Sequence, residues 1–180
     1  MTIDYDKLIN WDIPQVEQRL TKRDTILYAL GVGESLSHAS ISSMPDLTVS
    51  AAAVSGPKAF KMAGLKPSDI NMLSLYDAFT ITPLLFLEDL GFCPKGEGGR
   101  FVASGAIAPG GKLPVNTSGG GLSYCHPGMY GLLVIIEAVR QVRGECDKRQ
   151  VKNCEVALAH GNGGVLSSQC TVLFGGPSTV

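Results

Sequence analysis

The sequence has no C-x-x-C pair, no basic run of more than a few residues and no apolar stretch long enough to span a bilayer. Each absence removes a class of function. Five cysteines, at positions 93, 125, 146, 154 and 170, are odd in number and unpaired in spacing. Neither a disulfide framework nor a zinc site is expected, no metal site is assigned, and the thiols read as reduced. A formal net charge of −1 offers nucleic acid or an anionic membrane no overall attraction. The opening MTIDYDKLINWDIPQVEQRL is polar and acidic and lacks the regions of a secretory signal, which leaves the cytoplasm as the expected compartment. Aromatics are sparse, 7% of 180 residues with one tryptophan, and histidine occurs three times. Glycine is plentiful at 22 residues, and 44% of the chain is hydrophobic, enough for the core of one domain.

Local patterns give the organisation. Thr21 is placed to cap a helix through Asp24, with an apolar run over 26–30 that ends on glycines. Alanine-rich 51–63, with Pro57 near its first turn, predicts a short helix stopped by Gly64. After the turn LKPSDI, residues 70–76 alternate as a strand, with Ile70, Met72 and Ser74 on one face and Leu73 and Leu75 on the other. Phe79, Leu84, Phe86, Leu87 and Leu90 ahead of Gly91 predict an amphipathic helix over 78–90 despite Pro83; Glu88 and Asp89 should face solvent or a basic neighbour. Residues 92–121 are rich in glycine and read as a long structured loop, the kind that often carries function. A largely buried helix is expected over 131–143, then an antiparallel hairpin of 154–159 and 169–174 joined by the turn HGNGG. This order implies an α/β fold, a mixed sheet with helices on both faces.

Two of the three histidines sit in glycine-rich segments, His126 in GGGLSYCHPGMYG and His160 in AHGNGG. Glycines let backbone amides approach a ligand, and imidazole moves protons near neutral pH, so the pair suggests a site; a histidine beside proline in a turn is more often a structural residue. His38 reads as a surface or capping residue. Cys125 precedes His126, but neighbours in extended chain point to opposite faces, so a thiolate–imidazole dyad is disfavoured and Cys125 is expected to pack. Cys93, Cys154 and Cys170 read as small buried hydrophobes. GEGG, APGG and GGG lack the lysine and serine of a P-loop and the context of a dinucleotide fingerprint.

Longer motifs add a resemblance. The runs LYDAFTITPLLFLEDLGFCPKGEGG, PVNTSGGGLSYCHPGMYGLLVIIEAVRQVRGE and VALAHGNGGVLSSQCTVLFGG closely resemble the C-terminal half of thiolases, in the branch of sterol carrier protein 2 thiolase and lipid-transfer-protein thiolases, over roughly 37–176. The resemblance implies one half of a thiolase-like layered fold and an acyl-CoA substrate, with no cofactor beyond it. The family's Gly-His-Pro corresponds to Cys125-His126-Pro127, so His126 resembles the histidine that activates the nucleophile and binds the thioester oxygen. Asn-Glu-Ala-Phe corresponds to Tyr76-Asp77-Ala78-Phe79, which puts the Tyr76 hydroxyl where the family has an asparagine. The Cys-x-Gly motif corresponds to Ala159-His160-Gly161, which implies that His160 takes over an acid/base role and that Gly161, Gly163 and Gly164 line the substrate. Tyr124 is placed for the tyrosine-hydroxyl role of thiolase-like aldolases that cleave steroid side chains with a small partner protein.

The family carries its acyl-accepting cysteine in an N-terminal half with no counterpart in this chain. Residues 1–33 instead resemble the opening of MaoC-like enoyl-CoA hydratases, without that family's catalytic residues. The expected organisation is therefore an incomplete hydratase-like leader over 1–34 and a thiolase C-terminal domain over 35–180. The expected function is that of an acetyl-CoA acetyltransferase-like acyltransferase half in lipid, fatty-acid or sterol metabolism, inactive alone. The alternatives are an aldolase subunit and a non-catalytic module that binds acyl-CoA or a partner. Helices that normally pack against the other half should expose apolar faces over 79–90 or 132–142, so a thiolase N-terminal half, a thiolase-like chain or a second copy is the expected partner.

Overall fold

Near-continuous apolar runs build the centre of the sheet. Met72–Leu75 forms β2 and Val156–Gly163 forms β3, paired in parallel with Met72 opposite Ala157 and Leu75 opposite His160. Every residue of β2 is buried, as a strand covered on both faces requires. Ser168–Gly175, β4, returns antiparallel to β3, and Tyr28–Leu36, β1, pairs antiparallel with β4, giving the order β1-β4-β3-β2. The computed structural model describes residues 28–126 and 128–179.

Helices cover the sheet on both sides. The helix α1, Ala52–Ala63, packs on β1 and β4, where Ser55 Oγ lies 2.9 Å from Thr171 Oγ1. The helix of Tyr130–Arg143 packs on β3 and β2; with the shorter helices α2 (Ile81–Asp89), α3 (Gly98–Ala103) and α4 (Gly120–Ser123) preceding it, it is α5. Gly64 and Gly144 end α1 and α5 at φ 67° and 69°, left-handed positions that glycine adopts without strain.

Four expectations change. The run at 28–30 opens a strand instead of ending a helix; Thr21 and Asp24, like the hydratase-like stretch up to residue 27, lie outside the described residues. Gly31 and Gly33, read as a helix stop, are where α1 meets β1: a Cβ on Gly33 would stand 2.0 Å from Ser55 O, and one on Gly31 2.2 Å from Ala59 O. The HGNG stretch lies in β3, and the hairpin turns at 164–167 with Gly164 and Leu166 at φ 61° and 60°. Finally, α5 is amphipathic: Val134, Ala138 and Gln141 are buried, while Leu132, Leu133 and Ile136 are exposed.

Charged residues pin the periphery. The side chain of Asp89 is buried and accepts from Ser50 N and Oγ, each at 2.7 Å, with Lys95 Nζ 2.7 Å from its other oxygen, so the basic neighbour expected of 88–89 is Lys95. Glu137 on α5 takes Arg149 Nε at 3.0 Å and Thr117 Oγ1 at 2.7 Å. Burial would raise the Glu137 pKa, but the hydrogen bonds of Arg149 and Thr117 outweigh it and hold the carboxyl below its ordinary range. On the outer edge of β1, Val32 N donates to Met62 Sδ at 3.3 Å and Lys58 Nζ donates to Glu34 O at 3.0 Å, both from α1.

Candidate active site

The site grows from the end of β2. Asn116, at φ 50°, folds its side-chain amide against Leu75, accepting from its N–H at 2.7 Å and donating to its carbonyl at 3.0 Å. This carboxamide completes the pairing that a further strand residue would supply. Tyr76 follows, its N–H donating to His160 O at 3.0 Å, and its side chain leaves the sheet on the side of α5.

There the tyrosine meets His126. Tyr76 Oη lies 2.5 Å from His126 Nε2, with ring centroids 5.8 Å apart, and Tyr130 at the start of α5 packs edge-on against Tyr76 at 5.1 Å and 82°. Burial, and then the charge of Asp77, push the Tyr76 hydroxyl above the usual tyrosine range. The phenol and the imidazole share this one hydrogen bond, and the ring's tautomer sets which of them donates. Tyr130 is shifted upward for the same two reasons, burial first.

Asp77 organises the loop that brings His126 in. Its Oδ1 accepts Gly121 N at 2.7 Å and its Oδ2 accepts Leu122 N at 3.3 Å, so the carboxylate closes the free amides that open α4. A Cβ on Gly120 would stand 2.1 Å from Asp77 Oδ2, and the backbone there is at φ 70°; the glycine run is the space this acid needs. Asp77→Ala is expected to leave both amides without their acceptor and to lower stability by about 1–3 kcal/mol. Urea unfolding checks the size, and loss of the Tyr76–His126 contact in NMR spectra checks the place.

The expected residues separate into two groups. His126, Tyr76, Asp77, Tyr130 and Cys125 line a cleft of about 40 Å³. Tyr76, Gly161 and Gly163 line an adjoining groove of about 650 Å³ with Glu34, Gly131 and Cys170, whereas Gly164 stands beyond it at the hairpin turn. Cys125 does not pack: it is exposed, and its thiol has no hydrogen-bond partner among the described residues.

His160 does not bring its ring to His126. In β3 it pairs with Leu75 and Thr171, whose side chains face α1, so its imidazole lies on the opposite side of the sheet from Tyr76. It is fully buried, 4.5 Å from the Phe86 ring, with Nδ1 2.9 Å from Thr171 Oγ1 and Nε2 against Gln169 Oε1. Gln169 Nε2 donates to Asn162 Oδ1 and to the Leu166 carbonyl, so its oxygen faces His160, and His160 is the donor to it. Burial lowers its pKa to about 4. Tyr124 also stands apart: it is exposed, donates to Ser118 O at 2.8 Å, and lines a groove of about 400 Å³ along Leu133, Ile136 and Arg140 of α5. Asn116 and Tyr130 were missed as site-builders; Asp77 stood in the motif Tyr76-Asp77-Ala78-Phe79 that the resemblance marks, but without a role.

Residues 33–176 match the family described as thiolase C-terminal domain-like. The chain belongs to the thiolase family. An acetyl-CoA acetyltransferase of Methanothermobacter thermautotrophicus is 43% identical over 130 residues, covering 72% of this chain and 33% of that protein. Sterol carrier protein 2 of Bos taurus is 43% identical over 107 residues, 59% of this chain and 20% of its own length. Among solved structures, an Ltp2-ChsH2(DUF35) aldolase superposes with a TM-score of 0.73 at 32% identity, covering 83% of this chain and 39% of that one. The chain thus spans a third or less of the length of these two relatives. Among the described residues no cluster of His, Cys, Asp or Glu could hold a metal, and no helix is long and apolar enough to cross a membrane.

Proposed function

We propose that this thiolase-family domain supplies the acyl-oxygen side of an acyl-CoA acyltransferase site. The contact between Tyr76 Oη and His126 Nε2, with Tyr76 also lining the Gly161–Gly163 groove, carries the reading. A thioester carbonyl lying beside the pair would receive the phenol O–H as its oxygen gains charge, with the imidazole donating its Nε2–H to Tyr76 Oη in turn, the preorganised donation that lowers acyl-transfer barriers. The glycines of β3 leave the acyl-CoA room against the backbone, and Gly164 shapes the turn beyond them. The nucleophilic cysteine comes from a thiolase N-terminal half or a thiolase-like chain, seated on the exposed apolar side of α5 where Tyr124 stands; self-association over the same face is the other arrangement. We place the chain in the cytoplasm, where its five cysteines, free among the described residues, stay reduced.

The purified chain alone is expected to show no thiolytic cleavage of acetoacetyl-CoA, because covalent catalysis needs a positioned thiolate. Turnover by the isolated chain, free of contaminating thiolase, sinks the proposal. With a complementing thiolase N-terminal chain restored, Tyr76→Phe is expected to lower kcat/KM by about 100-fold, the effect of losing one oxyanion donor.

A second reading has its own support in the tyrosine hydroxyl on His126 and the likeness to an aldolase at 32% identity. A β-hydroxyacyl-CoA would lose its hydroxyl proton, its Cα–Cβ bond would break to leave a carbonyl product, and the electron pair would pass to a thioester enolate that is then protonated at Cα. This step needs no cysteine nucleophile. Carbonyl release from a β-hydroxyacyl-CoA in an assembly without thiolytic activity selects it; acyl-CoA binding with neither turnover leaves a binding module.

A further inference from the structure

A second groove, sharing no lining residue with the Tyr76–His126 cleft or with the groove beside it, lies along the β2 side of the sheet and has a volume of about 500 Å³. Lys112 reaches it from one loop; Lys148, Arg149 and Lys152 reach it from the loop between α5 and β3. No aspartate or glutamate lines it. Four cations gather here in a chain whose formal net charge is −1.

Their supports are built. Arg149 is held through Nε and Nη2 by the two oxygens of buried Glu137, which neutralises its charge and fixes its position. Gln141 donates to Arg149 O at 2.9 Å and accepts from Val151 N at 2.8 Å, and Gln150 donates to Gln141 O at 2.8 Å, so three amide contacts fasten this wall to α5. Asp147 and Asn153 take left-handed backbone at φ 47° and 53°, and neither lines the groove. Lys112, Lys148 and Lys152 have no hydrogen bond or ion pair among the described residues. Three uncompensated ammonium groups therefore stand over a fastened frame with an apolar floor at Ile70 and Val151.

We infer that this groove is a second ligand site that takes a phosphate-bearing small molecule of nucleotide size. The volume lies in the range of small-molecule sites, lysine ammonium groups suit the several oxygens of a phosphate, and the floor receives a flat apolar body. A long polyanion is a poor match, because a chain of net charge −1 offers it no overall attraction. The phosphate can come from a free nucleotide or from the nucleotide end of coenzyme A. The inference stands whether or not the acyl-CoA reading holds.

Calorimetric titration of the full chain with ADP, inorganic pyrophosphate, coenzyme A and an acetyl-pantetheine thioester without a nucleotide tests it. ADP and pyrophosphate are expected to bind one competing site, more weakly as salt rises. The double variant Lys148→Glu/Lys152→Glu should weaken both by about 100-fold, roughly tenfold for each charge. Lys112→Glu, from the other loop, should weaken both as well, and these exposed positions leave the melting profile unchanged. Coenzyme A that competes with ADP while acetyl-pantetheine does not supports the site and names coenzyme A as the source; ADP binding that coenzyme A cannot displace supports it and names a free nucleotide. Absence of saturable binding, affinity unchanged in the variants, or displacement of ADP by a tighter-binding acidic peptide overturns it.

Discussion

Gly33→Ala is expected to destabilise the fold by about 3 kcal/mol or more, at the upper end of overpacking effects and a large share of a typical domain's total. The added Cβ would meet Ser55 O at 2.0 Å and Ala59 N at 2.7 Å, both backbone atoms of α1, so no rotamer change relieves the clash. The helix must lift from β1 and β4 as a body, which also pulls Ser55 from Thr171. Gly33 is not at positive φ, so the loss is one of space and not of backbone strain. Gly99→Ala, inside α3 with nothing within 4 Å of its would-be Cβ, is the matched control and should be neutral or slightly stabilising through helix propensity. Urea unfolding of the two variants beside the parent settles it; a Gly33→Ala protein as stable as the Gly99→Ala control would falsify the close-contact account.

The second large effect is a loss of stability in mild acid. Burial holds His160 neutral in the folded chain down to about pH 4, whereas the unfolded chain protonates the same imidazole near 6.5. Between those values the unfolded state binds the extra proton, so stability rises with pH. The contribution is fully present above pH 6.5 and drains away as the pH falls toward 4, by roughly 3 kcal/mol at 1.4 per pKa unit. Denaturant midpoints at a series of pH values should show this slope, and His160→Gln, less stable at neutral pH, should flatten it. A parent protein equally stable at pH 7 and pH 4.5 would remove His160 as the origin.

The helices were legible where local chemistry and tertiary packing agree. Alanines over 51–63 and the apolar spacing of 130–143 favour a helix, and Gly64 and Gly144 stop it whatever it packs against. β1 was hidden because its glycines carry two meanings: a pattern of Gly31 and Gly33 reads as a stop, and only the approach of α1 shows that the missing side chains are the requirement. His160 was misread for a related reason. HGNGG has the composition of a turn, but pairing with Thr171 and Leu75 draws His160 into β3, and strand parity then decides which side of the sheet the ring enters. At the site, His126 was marked by its glycine-rich segment and given a role by the resemblance to thiolases, which also supplied Tyr76; Asn116 standing in for a peptide group at the end of β2 depends on a loop whose course no local pattern states.

The side chains of α1 at the rim of β1 have a consequence for solubility. A bare outer strand invites another chain to add to it, and sheet proteins avoid runaway polymers by disguising that border. Here the thioether of Met62 occupies the Val32 N–H and the ammonium of Lys58 occupies the Glu34 carbonyl, while at the other border Asn116 satisfies both groups of Leu75. Strand addition at either border must first displace one of these residues. The sheet is thus biased against fibrous growth at both of its borders.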